Sequence, residues 1–210
     1  TQVKKLYVVV SDNSSYTYQV CEEEGLRPMP AILRARWLSQ ELSEMDHITV
    51  VVLDESNIAP YPEGTVEWSK SLVETVPEKF DVIFGGETEY KHTYMKNFPN
   101  VEYVIYDTNR EKYPISATEI RRSPHKHWDY ILGSARPNFT KRVLITGTES
   151  CGKTTLTKNL AKIFHTSWSN EVGRDYADHY LGGNESIYTI EDFEEIARQQ
   201  YQQDYHALRT

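Results

Sequence analysis

The sequence predicts an α/β protein, in which a doubly wound parallel sheet is followed by a phosphate-binding P-loop. Two observations support this fold class. Through residues 6–106, short apolar runs alternate with segments of helical periodicity. Farther along, residues 147–154 fit the pattern G-x-x-x-x-G-K-[ST], between a β-branched apolar run and a second helical pattern.

Four short apolar runs are predicted to be parallel strands. They are rich in β-branched or aromatic residues, and each ends in a polar or glycine-containing stretch, as buried parallel strands do. Because parallel strands bring their carboxyl ends to one edge, we expect a ligand crevice there. The predicted strands cover residues 6–10, 48–53, 80–84 and 101–106.

Helices are predicted between and after these strands. Residues 31–45 carry apolar side chains at helical spacing, residues 66–76 do so after a potential cap at Thr65, and a helical segment precedes the fourth strand. Beyond the sheet, a short helix begins near Ser116. Further helices are predicted over residues 125–132, 155–164 and 191–208, with residues 167–172 as a weak strand or loop.

The last of these helices places Phe193, Ile196, Ala197 and Tyr201 on one stripe. Residues 134–138 have the composition of a linker, with Pro137 inside them. The sequence therefore predicts two domains, 1–138 and 139–210.

The P-loop pattern has a clear physical basis. Two glycines let the backbone fold around an anion, so that successive N–H groups and the helix N-terminus point at phosphate oxygens. Lys153 is expected to reach the β- and γ-phosphates of ATP, and the Thr154 hydroxyl to coordinate Mg²⁺. The alternative is an ordinary strand-turn-helix connection that matches by chance. The predicted ATP-binding residues are Gly147, Thr148, Glu149, Ser150, Cys151, Gly152, Lys153, Thr154 and Thr155.

A second polyphosphate site is predicted at the short helix that begins near Ser116. Ser116, Thr118 and Arg121 place two hydroxyl groups and a guanidinium group there. The competing interpretation is that the hydroxyl groups only cap the helix. Nearby, His125 and His127 are two residues apart and face different sides of a helix, so we interpret them as surface histidines rather than metal ligands.

Composition excludes several classes of function. With a net charge of −8, the chain lacks the basic character expected of a nucleic-acid-binding protein. Residues 1–5 are followed by no h-region long enough to suggest a signal peptide, and no apolar run approaches the roughly 20 residues of a membrane span. The two cysteines, Cys21 and Cys151, are expected to be free thiols in a reducing cytoplasm.

Taken together, these residues resemble those of the NadR-type family. That family joins a nicotinamide-mononucleotide adenylyltransferase of Rossmann-like fold to a P-loop ribosylnicotinamide kinase. The resemblance rests on the run of residues 115–121, on Ala135-Arg136-Pro137 and on the P-loop. It extends through nearly all 210 residues, including stretches 34–37, 61–64, 171–174 and 181–183.

For the first half, the resemblance implies adenylyl transfer from ATP to nicotinamide mononucleotide, which gives NAD. Arg121 would be catalytic and would hold the triphosphate with Ser116 and Thr118. Trp68 would stack on an aromatic ring, or else lie in the core. Arg34 would bind a phosphate, or else be exposed to solvent. The residues expected to bind the nicotinamide nucleotides are Asn57, Tyr61, Pro62, Gly64, Trp68, Glu87, Thr88, Glu89, Ile115, Ser116 and Ala117.

For the second half, the resemblance implies that ATP and Mg²⁺ phosphorylate ribosylnicotinamide, with Lys153 as the catalytic residue. Asn170, Glu171, Val172 and Arg174 would lie near the nucleoside. From the residues alone, Glu171 and Arg174 could instead form an ion pair three positions apart.

The sequence also departs from the family pattern. The H-x-G-H loop of adenylyltransferases is absent, and no apolar strand ending in an aspartate follows the P-loop helix. We therefore expect the chain to be an internal piece of a longer protein. The 210-residue polypeptide is expected to form no NAD, and the free side of its first strand is expected to favour self-association.

Three other interpretations stay open at this point. The chain could be a regulatory module that senses NAD or ATP without turnover, or a P-loop kinase of another small substrate. A homo-oligomer is compatible with the sequence.

Overall fold

The computed structural model describes residues 3–209, which form two compact units. The first unit runs to Ser134, and the second begins at Ala135. Ser134 belongs to the first unit because its N–H donates to the Glu41 carboxylate at 2.7 Å and its hydroxyl donates to the Trp37 carbonyl at 3.1 Å. The boundary between the units lies within the predicted linker 134–138, part of which belongs to a short helix over residues 136–139.

The first unit contains four strands and five α-helices in its described part. They alternate as the sequence predicts, with one additional helix after the first strand. Their order is β1 (Leu6–Asp12), α1 (Ser14–Glu23), α2 (Ala31–Glu41), β2 (Ile48–Asp54), α3 (Thr65–Thr75), β3 (Val82–Gly85), α4 (Lys91–Asn97), β4 (Glu102–Ile105) and α5 (Ala117–Arg122).

The strands form two parallel pairs rather than the predicted continuous sheet. β1 pairs with β2 from Leu6 opposite Ile48 to Asp12 opposite Asp54, and β3 pairs with β4. In the described residues no backbone ladder joins the two pairs. Side-chain packing joins them instead, because Ile83 of β3 and Val9 of β1 pack on a shared buried cluster around Leu53.

Several predicted helix boundaries change for local reasons. Helix α2 ends at Glu41 rather than at residue 45, since the N–H of Leu42 closes its last turn on the Leu38 carbonyl. Thr65 does not cap α3. It is the first helical residue, and its hydroxyl donates to the Pro62 carbonyl at 2.5 Å.

The predicted helix over residues 125–132 is replaced by turns and a single 3₁₀ turn, Trp128–Tyr130. Most backbone hydrogen bonds in this segment join an N–H to the carbonyl three residues earlier, as expected for 3₁₀ geometry. Examples are the bonds from Lys126 N–H to Ser123 and from Ile131 N–H to Trp128.

The second unit is helical in its described part. It contains α6 (Arg136–Phe139), α7 (Lys153–Ile163), α8 (Val172–Tyr180), a 3₁₀ turn (Glu185–Ile187) and α9 (Ile190–Ala207). The β-branched apolar run before the P-loop, within residues 141–146, forms no strand, and none of the four described strands lies in this unit. Val143 and Leu144 there are 83% and 88% exposed.

Helices α8 and α9 pack together through polar groups. The predicted stripe on α9 holds only in part, since Phe193 is 58% and Tyr201 is 69% exposed, whereas Ile196 lies beside Gly173 of α8. None of the helices within residues 3–209 combines the length and apolar character needed to cross a bilayer.

Candidate functional site

The P-loop of the second unit turns sharply into helix α7. Gly152, the residue before the helix, has φ 86° and ψ 14°, a left-handed conformation that glycine adopts without strain. Ser150 also has a positive φ of 58°. Helix α7 has no side-chain cap, so the N–H groups of its first turn are available to an anion.

Lys153 lies over this loop. Its Nζ donates to the Thr148 carbonyl at 2.8 Å, so the ammonium group sits at the place where phosphates would bind. Residues 147–152 are all exposed, as are Thr154 and Thr155, which leaves the loop accessible to a ligand. The arrangement provides backbone donors, a helix N-terminus and one positive charge for a polyphosphate.

A magnesium ion would need most of its ligands from the nucleotide. Thr154 presents an exposed hydroxyl on the first turn of α7. Within residues 3–209, no cluster of three or more His, Cys, Asp or Glu side chains could hold a metal by itself. One hydroxyl together with phosphate oxygens and water suits Mg²⁺, which usually keeps several waters.

The four residues predicted to contact a nucleoside lie together before and at the start of α8. Glu171 is exposed and directly precedes the helix, with φ −79° and ψ 110°. The described residues contain no Glu171–Arg174 ion pair, so that alternative is wrong.

Sequence reasoning missed how α9 holds this segment. The side chain of Gln200 accepts a hydrogen bond from Val172 N–H at 3.0 Å and donates to the Asn170 carbonyl at 2.9 Å. Gln200 lies about thirty positions farther along the chain, in a polar stretch that a solvated helix face would also explain.

A second polar contact between α8 and α9 joins Tyr176 to Asp192. The Tyr176 hydroxyl donates to Asp192 Oδ1 at 2.7 Å, and this bond raises the pKa of Tyr176 to about 12. The pKa of Asp192 is lowered, first by the N–H of Thr189 and then by Tyr176. The folded protein therefore favours the ionised Asp192 carboxylate.

This contact gives a pH prediction. Because its folded pKa is depressed, Asp192 stabilises the fold above its unfolded pKa of about 3.9, and that contribution is lost as the pH falls through the folded value. Tyr176→Phe should lower the melting temperature at neutral pH and should lower it less in acid. Thermal unfolding between about pH 3 and pH 8 measures this. Tyr180→Phe, on an exposed tyrosine of the same helix, is the control, and a Tyr176→Phe effect that does not vary with pH would contradict the prediction.

In the first unit, Ser116 caps α5. Its hydroxyl accepts from Glu119 N–H, and the Glu119 carboxylate accepts from the N–H and hydroxyl of Ser116, which form a complete capping box. These two donors, the hydroxyl first, lower the pKa of Glu119. The capping interpretation therefore describes Ser116 in this structure.

Arg121 and Thr118 lie together one turn along the same helix. Nη2 of Arg121 is 3.4 Å from Thr118 Oγ1. Its Nε is buried and has no hydrogen-bond partner among the described residues. The neighbouring Ile115 is half-buried and Ala117 is exposed. A guanidinium group with an unused donor, next to a hydroxyl, can bind an anionic oxygen.

The predicted nicotinamide-nucleotide crevice is brought together only in part. The Tyr61 hydroxyl donates to the Glu89 carbonyl at 3.5 Å, so the loop after β2 meets the loop after β3, which also contains Glu87 and Thr88. Asn57 and Pro62 are exposed in the first of these loops. Gly64 is a packing position, because a Cβ there would lie 2.0 Å from the Ala59 carbonyl oxygen.

Trp68 is partly buried and packs against the core cluster around Leu53. Its indole N–H donates to Glu55 Oε1 at 2.6 Å, and its ring meets Tyr94 edge to face at 5.4 Å. Burial also raises the pKa of Tyr94 above its usual range. These contacts correspond to the core interpretation of Trp68, and sequence reasoning missed both partners.

Arg34 is partly buried and binds backbone carbonyls. Its Nη2 donates to the Ser11 carbonyl at 2.7 Å, and its Nε donates to the Met29 carbonyl at 3.1 Å. Two of its donor groups therefore hold the end of β1 to the loop before α2. Cys21 is buried and Cys151 is exposed, and both are free thiols.

The chain is similar to several known proteins. A family model described as an AAA domain matches residues 142–210. Two curated relatives are similar over 201 residues. They are the Trifunctional NAD biosynthesis/regulator protein NadR of Escherichia coli (strain K12), at 32% identity, and the protein of the same name from Salmonella typhimurium (strain LT2), at 31%.

Each of these matches includes 94% of this chain and 49% of the relative, so the chain spans about half the length of the curated relatives it matches. Two solved structures are also similar. They are described as the NadR protein in complex with NR, with a TM-score of 0.78, and in complex with NAD and AMP-PNP, with a TM-score of 0.73. Both are 27% identical to this chain and cover 98% of it and 57% of their own chains. These similarities extend over both compact units and not over the P-loop unit alone, so the chain is similar to NadR proteins along nearly its whole length.

Proposed function

We propose that this chain is part of a cytoplasmic enzyme of NAD biosynthesis with two transferase activities. The unit that ends at Ser134 would be a Rossmann-like adenylyltransferase, and the unit that begins at Ala135 would be a ribosylnicotinamide kinase. The single observation that carries the proposal is the exposed P-loop with Lys153 above it, in a chain that matches NadR over nearly its whole length. The names of the similar structures, which contain NR, NAD and AMP-PNP, indicate the same ligand classes.

In the kinase unit, residues 147–155 would hold the triphosphate of ATP. Lys153 would leave the Thr148 carbonyl and bind the β- and γ-phosphates, where its charge stabilises the transition state. The 5′-hydroxyl of ribosylnicotinamide attacks the γ-phosphorus, and ADP leaves. Mg²⁺ supplies charge neutralisation at the phosphates when bound, and Thr154 would be its protein ligand. Asn170, Glu171, Val172 and Arg174 would contact the nucleoside.

In the adenylyltransferase unit, Arg121 and Thr118 would hold the triphosphate of a second ATP molecule. The phosphate of nicotinamide mononucleotide attacks the α-phosphorus, NAD forms and pyrophosphate leaves. The unused Nε donor of Arg121 supports this role. Ser116 would contribute mainly by fixing α5 through its capping box. Nicotinamide nucleotides would lie near the loops that contain Tyr61 and Glu87–Glu89, and near Ile115.

The proposal is tested with the intact protein. Ribosylnicotinamide and ATP are supplied together, and the products are separated by mass spectrometry. We expect nicotinamide mononucleotide to appear first and NAD to follow it. A protein that binds NAD and ATP but forms neither product would contradict the proposal. It would favour a regulatory binding module, an alternative suggested by the word regulator in the relatives' name.

A further inference from the structure

We propose that Gln200 is a positioning residue for the nucleoside site, acting through the backbone on either side of Glu171. The inference rests on the proposed kinase function. It assigns a role in recognition of the ribosylated nucleoside to a residue on α9 that lies outside the segment predicted to contact that substrate.

Glu171 has little else to hold it. It precedes α8 in an extended conformation, its side chain is exposed, and the start of the helix has no side-chain cap from Glu171 itself. The direction of its side chain therefore depends on its φ and ψ angles, which relate the two peptide groups that flank it.

One carboxamide binds both of those peptide groups. Oε1 of Gln200 accepts from the N–H of Val172, which belongs to the peptide group after Glu171. Nε2 donates to the carbonyl of Asn170, which belongs to the peptide group before it. Because the carboxamide is planar and rigid, these two bonds hold the peptide groups at a fixed relative orientation and thereby fix both backbone angles of Glu171.

The surroundings of Gln200 set the orientation of its carboxamide. Besides the Asn170 carbonyl, Nε2 faces the Ser169 hydroxyl at 3.1 Å and Asp204 Oδ1 at 2.9 Å, while Oε1 faces an N–H donor. Ser169 in turn donates to the same Asp204 oxygen. Hydrogen-bond acceptors surround Nε2 of Gln200, and a donor faces its Oε1. A carboxamide therefore fits this position, whereas a carboxylate does not.

Gln200→Glu tests the proposal in the intact protein. The substitution keeps the size of the side chain but places a charged oxygen against the Asn170 carbonyl and Asp204. We expect the KM for ribosylnicotinamide to rise about tenfold or more, as expected when a backbone donor or acceptor loses its partner. The KM for ATP should change less than about twofold, since the described hydrogen bonds of Gln200 go to the segment before α8 and to Asp204 rather than to the P-loop.

Two further variants complete the test. Gln200→Met removes both bonds without adding charge and should raise the same KM by a smaller factor. Gln202→Glu makes the same chemical change at an exposed position of the same helix and should leave both KM values unchanged. Thermal unfolding of each variant reports whether the fold is retained.

The outcomes separate the two proposals. If the wild type is active and Gln200→Glu leaves the KM for ribosylnicotinamide unchanged, the positioning role alone is overturned. Parallel rises in both KM values, together with a lower melting temperature, also overturn it, because Gln200 would then only stabilise the packing of α8 on α9. A wild type that phosphorylates no ribosylnicotinamide overturns the proposed function and this inference with it.

Discussion

Lys153→Ala is expected to lower kcat for ribosylnicotinamide phosphorylation by about 10²- to 10³-fold, because it removes a donor worth about 2.7 to 4 kcal/mol in the transition state. The Nζ of Lys153 lies at the mouth of the exposed P-loop, 2.8 Å from the Thr148 carbonyl. Adenylyl transfer should continue at close to the wild-type rate, since that reaction is assigned to the first compact unit. Initial rates of both reactions, measured on the intact protein, check the prediction.

Lys162→Ala is the matched control for this experiment. Lys162 is an exposed lysine in the last turn of the same helix, so the variant loses the same charge far from the phosphate loop. Both activities should be retained in it. If Lys162→Ala and Lys153→Ala reduced phosphorylation equally, the effect would come from net charge or from the stability of α7 and not from contact with phosphate.

Arg121→Ala is expected to have the opposite effect to Lys153→Ala on the two activities. Adenylyl transfer should fall by about 10²- to 10³-fold if the guanidinium group binds the triphosphate mainly in the transition state, while phosphorylation should be unaffected. The structural basis is the position of Arg121 beside Thr118, with a buried Nε that no described residue uses. The same two assays measure the result once each variant is shown to be folded.

The neighbouring arginine provides the control. Arg122 is exposed, and its Nε binds the Glu24 carboxylate at 3.2 Å, an exposed ion pair of small energetic value. Arg122→Ala should therefore change neither activity appreciably. A loss of adenylyl transfer in both arginine variants would show that disruption of α5, and not loss of a phosphate contact, lowers the rate.

Strands and helices with a clear apolar pattern could be predicted from the sequence. β2 is predicted at residues 48–53 and observed over Ile48–Asp54, because a run of β-branched residues favours a strand and a polar stretch ends it. The P-loop could be predicted as well, since its glycines and lysine are fixed by the chemistry of phosphate binding. Its backbone makes a left-handed turn at Gly152.

Helices α1 and α8 were not predicted, because they contain few aliphatic residues. Among the described side chains of α1 Cys21 is buried, and α8 buries Val172 and Ala177. A sequence pattern that counts apolar residues gives little weight to such segments.

Contacts between residues far apart in the chain could not be predicted from the sequence either. Whether β1 and β3 share a backbone ladder depends on the separation of two strands in space, and the observed answer is two separate pairs. The contact of Gln200 with residues 170–172 spans about thirty positions, and the sequence gives no sign of it. The sequence therefore predicts where a site would lie, but it does not predict the side chains that hold the backbone there.

We propose two separate nucleotide sites, one in each compact unit. The most direct test mixes Lys153→Ala with Arg121→Ala in equal amounts and supplies ribosylnicotinamide and ATP. Each variant alone should form almost no NAD from ribosylnicotinamide, since each lacks one of two consecutive steps. The mixture should form NAD readily, because nicotinamide mononucleotide released by Arg121→Ala is converted by Lys153→Ala. A mixture no more active than either variant alone would contradict the two-site account and require a single shared site.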